Sequence, residues 1–322
     1  MSVSTSFRPY RRGLAAATLV LGLVIGTSAC GSDMSGMDHG STPATPPSGS
    51  ATGHPDMTGM PGMAGEHEAY SGNGLSAQED GIRFAPASME LPAGTPSSFT
   101  FKILGADGAP VTTFEPDQTK LMHFYLIRSD LTGFQHLHPT MAPDGTWTAQ
   151  ATALQPGQYR AYAAFIAKVS GQDKPLVLSE HVTVPGKADT VALPKASATT
   201  TVDGYKITLS KEPMMVGMAH PLTVEITKNG KPVTDLEPYL DTKAHLTAFH
   251  DGDMAFAHLH PQDGHGGHGG GSLTFMASLG KPGNWRLYLQ FQTDGVLHGG
   301  RDTRGRVTPR VGGRWIRRPP TR

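Results

Sequence analysis

The chain has 322 residues, 37% of them hydrophobic, with 40 glycines and 26 prolines, enough for two ordinary globular domains. Its 27 basic and 27 acidic residues balance only formally: eight arginines crowd the last 22 residues and three the first twelve, so the span from Cys30 to Gly300 holds 16 basic against 26 acidic residues. That acidic body argues against nucleic acid as a partner and favours cations.

Arg8, Arg11 and Arg12 precede an apolar run from Leu14 to Ile25 and a small-residue stretch that ends at Ala29-Cys30. This order is that of an export signal over residues 1–29, too short and too close to the terminus for a good membrane span. Cys30, the only cysteine, follows Thr27-Ser28-Ala29 in a stretch that resembles a lipobox, although Thr27 departs from the usual leucine. Lipidation is therefore expected at Cys30, with the mature chain anchored on the outer face of the cell membrane. A lipidated Cys30 leaves no thiol for a disulfide, a thiolate zinc site or a blue-copper centre.

Residues 30–75 are rich in Gly, Ser, Thr, Pro, Met and His, the composition of a flexible tether with nothing to bury. Five methionines, Met34, Met37, Met57, Met60 and Met63, recur at MxxM spacing beside His39, His54 and His67. Thioether sulfur is a soft ligand suited to Cu(I), and imidazole takes Cu(II) or zinc. The tether is thus a candidate auxiliary copper site.

Two segments of short alternating apolar runs follow, at 76–190 and 197–298, as expected of an all-β chain with two tandem immunoglobulin-like sandwiches. They form an internal repeat. GAPVTTFEP at Gly108 matches GKPVTDLEP at Gly230, an offset of 122 that also carries His123, His136, His138 and Pro139 onto His245, His258, His260 and Pro261. Further on, Pro156 matches Pro282 at an offset of 126, which places an insertion of four at the HGGHGGG run. His265 and His268 therefore belong to a loop of the second copy and are read as auxiliary, metal-collecting residues.

Asp251-Gly252 is a favoured dipeptide for a two-residue hairpin turn. Counting outward from it sets Phe249 opposite Met254 and His245 opposite His258, with His260 on the same face. The first copy follows with His123 opposite His136, and His138 beside them, if its turn centres on Ser129-Asp130. Phe124, Leu126, Leu137, Leu246, Ala248 and Leu259 fall on the opposite faces, which are taken as the core side. Each copy is thus expected to gather three imidazoles for Cu(II) or zinc: His123, His136 and His138 in the first, and His245, His258 and His260 in the second. In the competing interpretation the rings are structural and pack against Tyr125, Phe134, Phe249 and Phe256.

The lipobox, the Met/His tether and paired segments such as MHFYLIRSDLTGFQHLHP together resemble secreted lipoproteins of actinobacteria whose genes accompany copper-handling genes. The resemblance covers about Cys30 to Leu297. Its MxxM and Asp-His motifs are also similar to methionine-rich segments of periplasmic copper-resistance proteins. It implies extracytoplasmic copper or heavy-metal handling; the expected function is copper buffering, delivery or resistance, with a copper transporter or another copper protein as the expected partner. The alternative is a cell-surface interaction module that serves a transporter or sensor. No nucleophile elbow, phosphate loop or recognisable carboxylate pair is present, so no enzyme is expected. After Asp294-Gly295 the pattern breaks into the Arg-rich residues 299–322, read as a disordered, frameshift-like tail replacing a last strand.

Overall fold

A computed structural model describes residues 70–189, 191–193, 195–210, 214–262 and 271–308. The signal segment, Cys30, the tether ligands, His265, His268 and residues 309–322 lie outside the described residues. Among the described residues every regular element is a strand, and no helix is long and apolar enough to cross a membrane.

The first repeat contains β1 (Gln78–Glu79), β2 (Ile82–Pro86), β3 (Ser97–Leu104), β4 (Phe114–Glu115), β5 (His123–Arg128), β6 (Gln135–Leu137), β7 (Thr140–Met141), β8 (Thr146–Ala151), β9 (Gly157–Val169) and β10 (Gln172–Val184). The second contains β11 (Thr199–Val202), β12 (Tyr205–Leu209), β13 (Met214–Met215), β14 (Ala219–Lys228), β15 (Lys231–Pro232), β16 (Ala244–His250), β17 (Phe256–Pro261), β18 (Ser272–Ser278), β19 (Gly283–Thr293) and β20 (Val296–Thr308). In the first repeat β1-β2-β3-β8-β7 faces β10-β9-β5-β6, the two-sheet antiparallel order of an immunoglobulin-like sandwich. The second repeats it, with β11-β12-β14-β18 against β17-β16-β19-β20.

Tight turns join many of these strands. Asp80-Gly81, Asp203-Gly204, Asn229-Gly230 and Asp294-Gly295 each hold two positive φ angles between directly paired strands, the backbone that Asp-Gly and Asn-Gly adopt at least cost. Asp251-Gly252 is different. It lies in a longer connection in which Asp253 accepts hydrogen bonds from the Ala255 N–H and from His250 Nδ1 and forms an ion pair with Lys281. The observed pairing is Phe249 with Phe256 and Thr247 with His258. The first hairpin pairs Tyr125 with His136 and Phe124 with Leu137. Both registers thus differ by two residues from the sequence expectation, and an even shift leaves every side chain on its expected face.

Each sandwich encloses its own core. Phe84, Phe99, Phe101, Phe124 and Trp147 fill the first, and Leu246, Leu259, Phe275, Trp285 and Phe291 fill the second. A third cluster lies between the repeats and joins Tyr125, Ile127, Tyr162 and Val177 of the first to Phe249, Met254, Phe256 and Tyr288 of the second. Strand β5 is therefore buried along its whole length, on both faces. Three hydrogen bonds of 2.5 Å cross this interface: Arg286 Nη1 and Tyr288 OH both donate to the Leu131 carbonyl, and Tyr162 OH donates to that of Met254.

The expected loss of the last strand does not occur. Strand β20 pairs with β19 from Val296 opposite Thr293 to Val307 opposite Gly283, with one bulge, and its end runs parallel to β13. An edge strand presents a row of backbone donors and acceptors that any extended chain can satisfy, so an Arg- and Gly-rich segment pairs there without apolar alternation.

Candidate metal centre

The His-Leu-His-Pro phrase marks the place where the chain changes sheets. In the first repeat Leu137 still pairs with β5, while Thr140, just past the proline, pairs with β8 of the other sheet. In the second repeat β17 does both without interruption, pairing with β16 through Leu259 and with β18 from His260 onward. Proline suits such a switch because it donates no ladder hydrogen bond. Leu137 and Leu259 point into their cores, so alternation turns His136 and His258 toward the other repeat.

His123, His136 and His138 converge, with one ligating nitrogen from each lying within 4.8 Å of the others. Their ring centroids are 5.3 Å (His123–His136), 5.2 Å (His123–His138) and 4.6 Å (His136–His138) apart. The sequence led us to expect a separate group of His245, His258 and His260; among the described side chains, His245 and His258 instead lie against the first group. His245 lies 6.0 Å from His123 and 5.7 Å from His136, and His258 lies 5.7 Å from His123 and 6.1 Å from His245, between ring centroids. Five imidazoles form one cluster across the interface. The backbone of His260 continues β17 two residues beyond His258, and its side chain lies outside the description.

Hydrogen bonds fix the tautomers. His123 Nε2 lies 3.0 Å from the Asp117 carbonyl, which only accepts, so the proton sits on Nε2 and Nδ1 carries the lone pair. His245 Nε2 lies 3.1 Å from the Tyr239 carbonyl, the residue equivalent to Asp117 at the offset of 122, so the second repeat sets the same tautomer. His136 Nδ1 lies 2.7 Å from Oε1 of Gln290, a residue of the other repeat. His136 Nε2 then faces His123 Nδ1 at 3.0 Å. Nε2 of His138 is buried without a hydrogen-bond partner.

Aromatic rings surround the cluster. Tyr125 stacks on His136 at 4.5 Å, Tyr239 meets His245 edge-on at 5.2 Å, and Tyr70, which donates its hydroxyl to the Asp117 carboxylate, stacks on His258 at 5.7 Å. Desolvation holds the three imidazoles of the first repeat neutral. It lowers His123, lowers His136 well below the ordinary histidine value with help from His123 and His138, and takes His138 down to about 3. Gln290, Asp117 and Tyr239 were not picked out from the sequence. The last two could have been found as the residues six positions before His123 and His245, which the offset of 122 makes equivalent; Gln290 has no such signal.

The sequence matches twice the family described as a domain of unknown function (DUF8832), over residues 77–179 and 200–302, together more than half of the chain. The protein belongs to this family. None of the curated proteins matches it. Similar solved structures include an Escherichia coli adhesin, FdeC (16% identity, 70% of this chain and 64% of that one, TM-score 0.22), and a DUF4785 family protein from Legionella pneumophila (15% identity, 70% and 55%, TM-score 0.23). The N-terminal two-domain immunoglobulin module of the Drosophila receptor tyrosine phosphatase DLAR is also similar (10% identity, 71% and 99%, TM-score 0.18). The chain thus spans less than two thirds of the length of the first and second of these.

Proposed function

We propose that this chain is a lipid-anchored metal-binding protein of the outer face of the cell membrane, and that copper is its metal, buffered there or passed to a membrane transporter. The convergence of ligating nitrogens from His123, His136 and His138 within 4.8 Å of one another carries this reading. Asp117 accepts from His123 Nε2, so His123 Nδ1 carries a lone pair 3.0 Å from His136 Nε2, and the far nitrogen of His136 lies 2.7 Å from the Gln290 amide. Burial pushes both rings toward the neutral form, the form that ligates a metal. The spacing suits two ligands of one ion with bonds of about 2 Å.

The buried Nε2 of His138 supplies a third donor. A backbone carbonyl behind one ligand and a side-chain amide behind another are the outer contacts that orient metal-bound histidines. Three neutral imidazoles suit Cu(II) or zinc, and the Met/His composition of the tether adds Cu(I) and makes copper the first choice. Lipid on Cys30 would hold the site at the membrane.

The competing reading is an interaction module with structural histidines, and complete burial of His123 inside an interdomain interface is what favours it. Competition titrations with Cu(I), Cu(II) and Zn(II) separate the two. Binding tighter than about micromolar that loses one ion in H136A/H138A supports the metal reading, and weaker binding in the unaltered chain favours the module. Removing residues 31–67 should lower the Cu(I) count and leave the fold intact; an unchanged count would take the tether out of the mechanism.

A further inference from the structure

Three nitrogens of the first repeat already meet the needs of one ion, since zinc or Cu(II) at an open site takes three protein ligands. His245 and His258 of the second repeat are then in excess. They sit against the first set, with centroids 5.7 to 6.0 Å from His123 and His136. The carbonyl of Tyr239 holds His245 in the tautomer that the Asp117 carbonyl imposes on His123, so Nδ1 is the lone-pair nitrogen in both repeats. That matching outer contact leaves the same nitrogen of each ring for a ligand and holds the ring in a fixed orientation.

Resting on the metal reading above, we propose that the cluster is a two-ion centre: one divalent ion lies on His123, His136 and His138, and a second lies on His245 and His258, beside the first and across the repeat interface. Each repeat brings its own ligand set, and the pairing of the two repeats makes the sets neighbours. With rings this close, two bound ions lie within a short distance of each other, as in other paired-metal sites. A centre of this kind loads two ions per folded unit, and its occupancy is tied to the packing of the repeats.

The test uses the full chain and Cu(II) alone, with copper counted per chain and the sample examined by electron paramagnetic resonance. The unaltered protein should show the half-field transition of a close Cu(II) pair. H136A/H138A and H245A/H258A should each lose one copper and both lose that transition, while an isolated-copper spectrum remains. If the unaltered chain shows no pair signal, or if H245A/H258A keeps the full count while H136A/H138A loses one copper, the second ion is refuted and the first site stands. If neither double variant changes the count, both readings fall. Because His245 is almost wholly buried, H258A at the partly exposed ring provides a milder arm: it should lose the pair signal with near-ultraviolet dichroism unchanged, and retention of the signal overturns the proposal.

Discussion

Replacing Gln290 by leucine tests the centre through a residue that touches no ion. Gln290 accepts from His136 Nδ1 at 2.7 Å across the repeat interface. Loss of such an outer contact costs about 10- to 100-fold in metal affinity, equivalent to about 1.4 to 2.8 kcal/mol. Without metal the same substitution strands a buried imidazole N–H, at about 1 to 3 kcal/mol of stability. Q290E keeps an acceptor and makes it anionic, so its affinity should equal or exceed that of the unaltered chain. Y288F controls for the interface: it removes the donor to the Leu131 carbonyl, should cost about 1 kcal/mol of stability, and should leave affinity unchanged. The assay is competitive Cu(II) titration at neutral pH on all three variants, with urea denaturation beside it. If Q290L, still folded, binds Cu(II) as tightly as the unaltered chain, His136 is not a ligand held by Gln290 and the centre has been built wrongly. If Y288F weakens binding as much as Q290L, the effect belongs to interface packing.

The neutral histidines make stability depend on pH. His138 falls from 6.5 in the unfolded chain to about 3 when folded, so the unfolded state takes up its proton first; the contribution is complete above about 6.5 and declines as pH falls. At pH near 4.5 His138 alone should cost up to about 2 kcal/mol, reduced by its partial exposure, and His123 and His136 act in the same direction. Urea midpoints of the metal-free chain from pH 7.5 to 4.5 measure this, and a flat profile would contradict the burial. L259A opens a cavity in the second core and should lose about 2 to 5 kcal/mol, seen as a lower urea midpoint; a loss under 1 kcal/mol would mean that Leu259 does not face that core. Ending the chain after His298 removes most of β20, and amides of β19 should then exchange faster, with about 1 kcal/mol lost per broken ladder bond; unchanged exchange would show that β20 does not pair.

The fold was legible because the alternation and the offset of 122 are local signals. Leu137 and Leu259 could be assigned to the cores from two-residue periodicity alone, and a two-residue error in hairpin register did no harm because alternation repeats every two residues. The turn lengths were not legible. Asp251-Gly252 has the chemistry of a two-residue turn, but the tertiary contacts of Asp253 with His250, Ala255 and Lys281 hold a longer connection open. Strand β20 was missed because backbone pairing at a sheet edge leaves little trace in side-chain pattern. The meeting of the two histidine sets was missed for a related reason: no local pattern reports which sheet faces of two domains will touch. One clue was present, since MHFYLIR and HLTAFH are apolar on both faces and a two-layer sandwich buries only one.

That second buried face explains why the histidines can sit where they do. Imidazoles turned outward from a lone sandwich would be hydrated, free to protonate and free to rotate. Packing Tyr125, Tyr162, Phe249, Phe256 and Tyr288 between the repeats excludes water from the face they share with the histidines, and the area those rings bury offsets the desolvation of the imidazoles. The same packing brings Gln290 of one repeat to His136 of the other, so the proposed ligand and the group that orients it lie on different repeats. On the metal reading, affinity and the association of the repeats would be linked: separating the sandwiches would remove an orienting acceptor, and a bound ion would oppose separation by the difference in its affinity between the joined and separated repeats. A protein that must hold copper tightly and then release it can use such an interface, because a partner that pries the repeats apart weakens the site without competing for a single ligand.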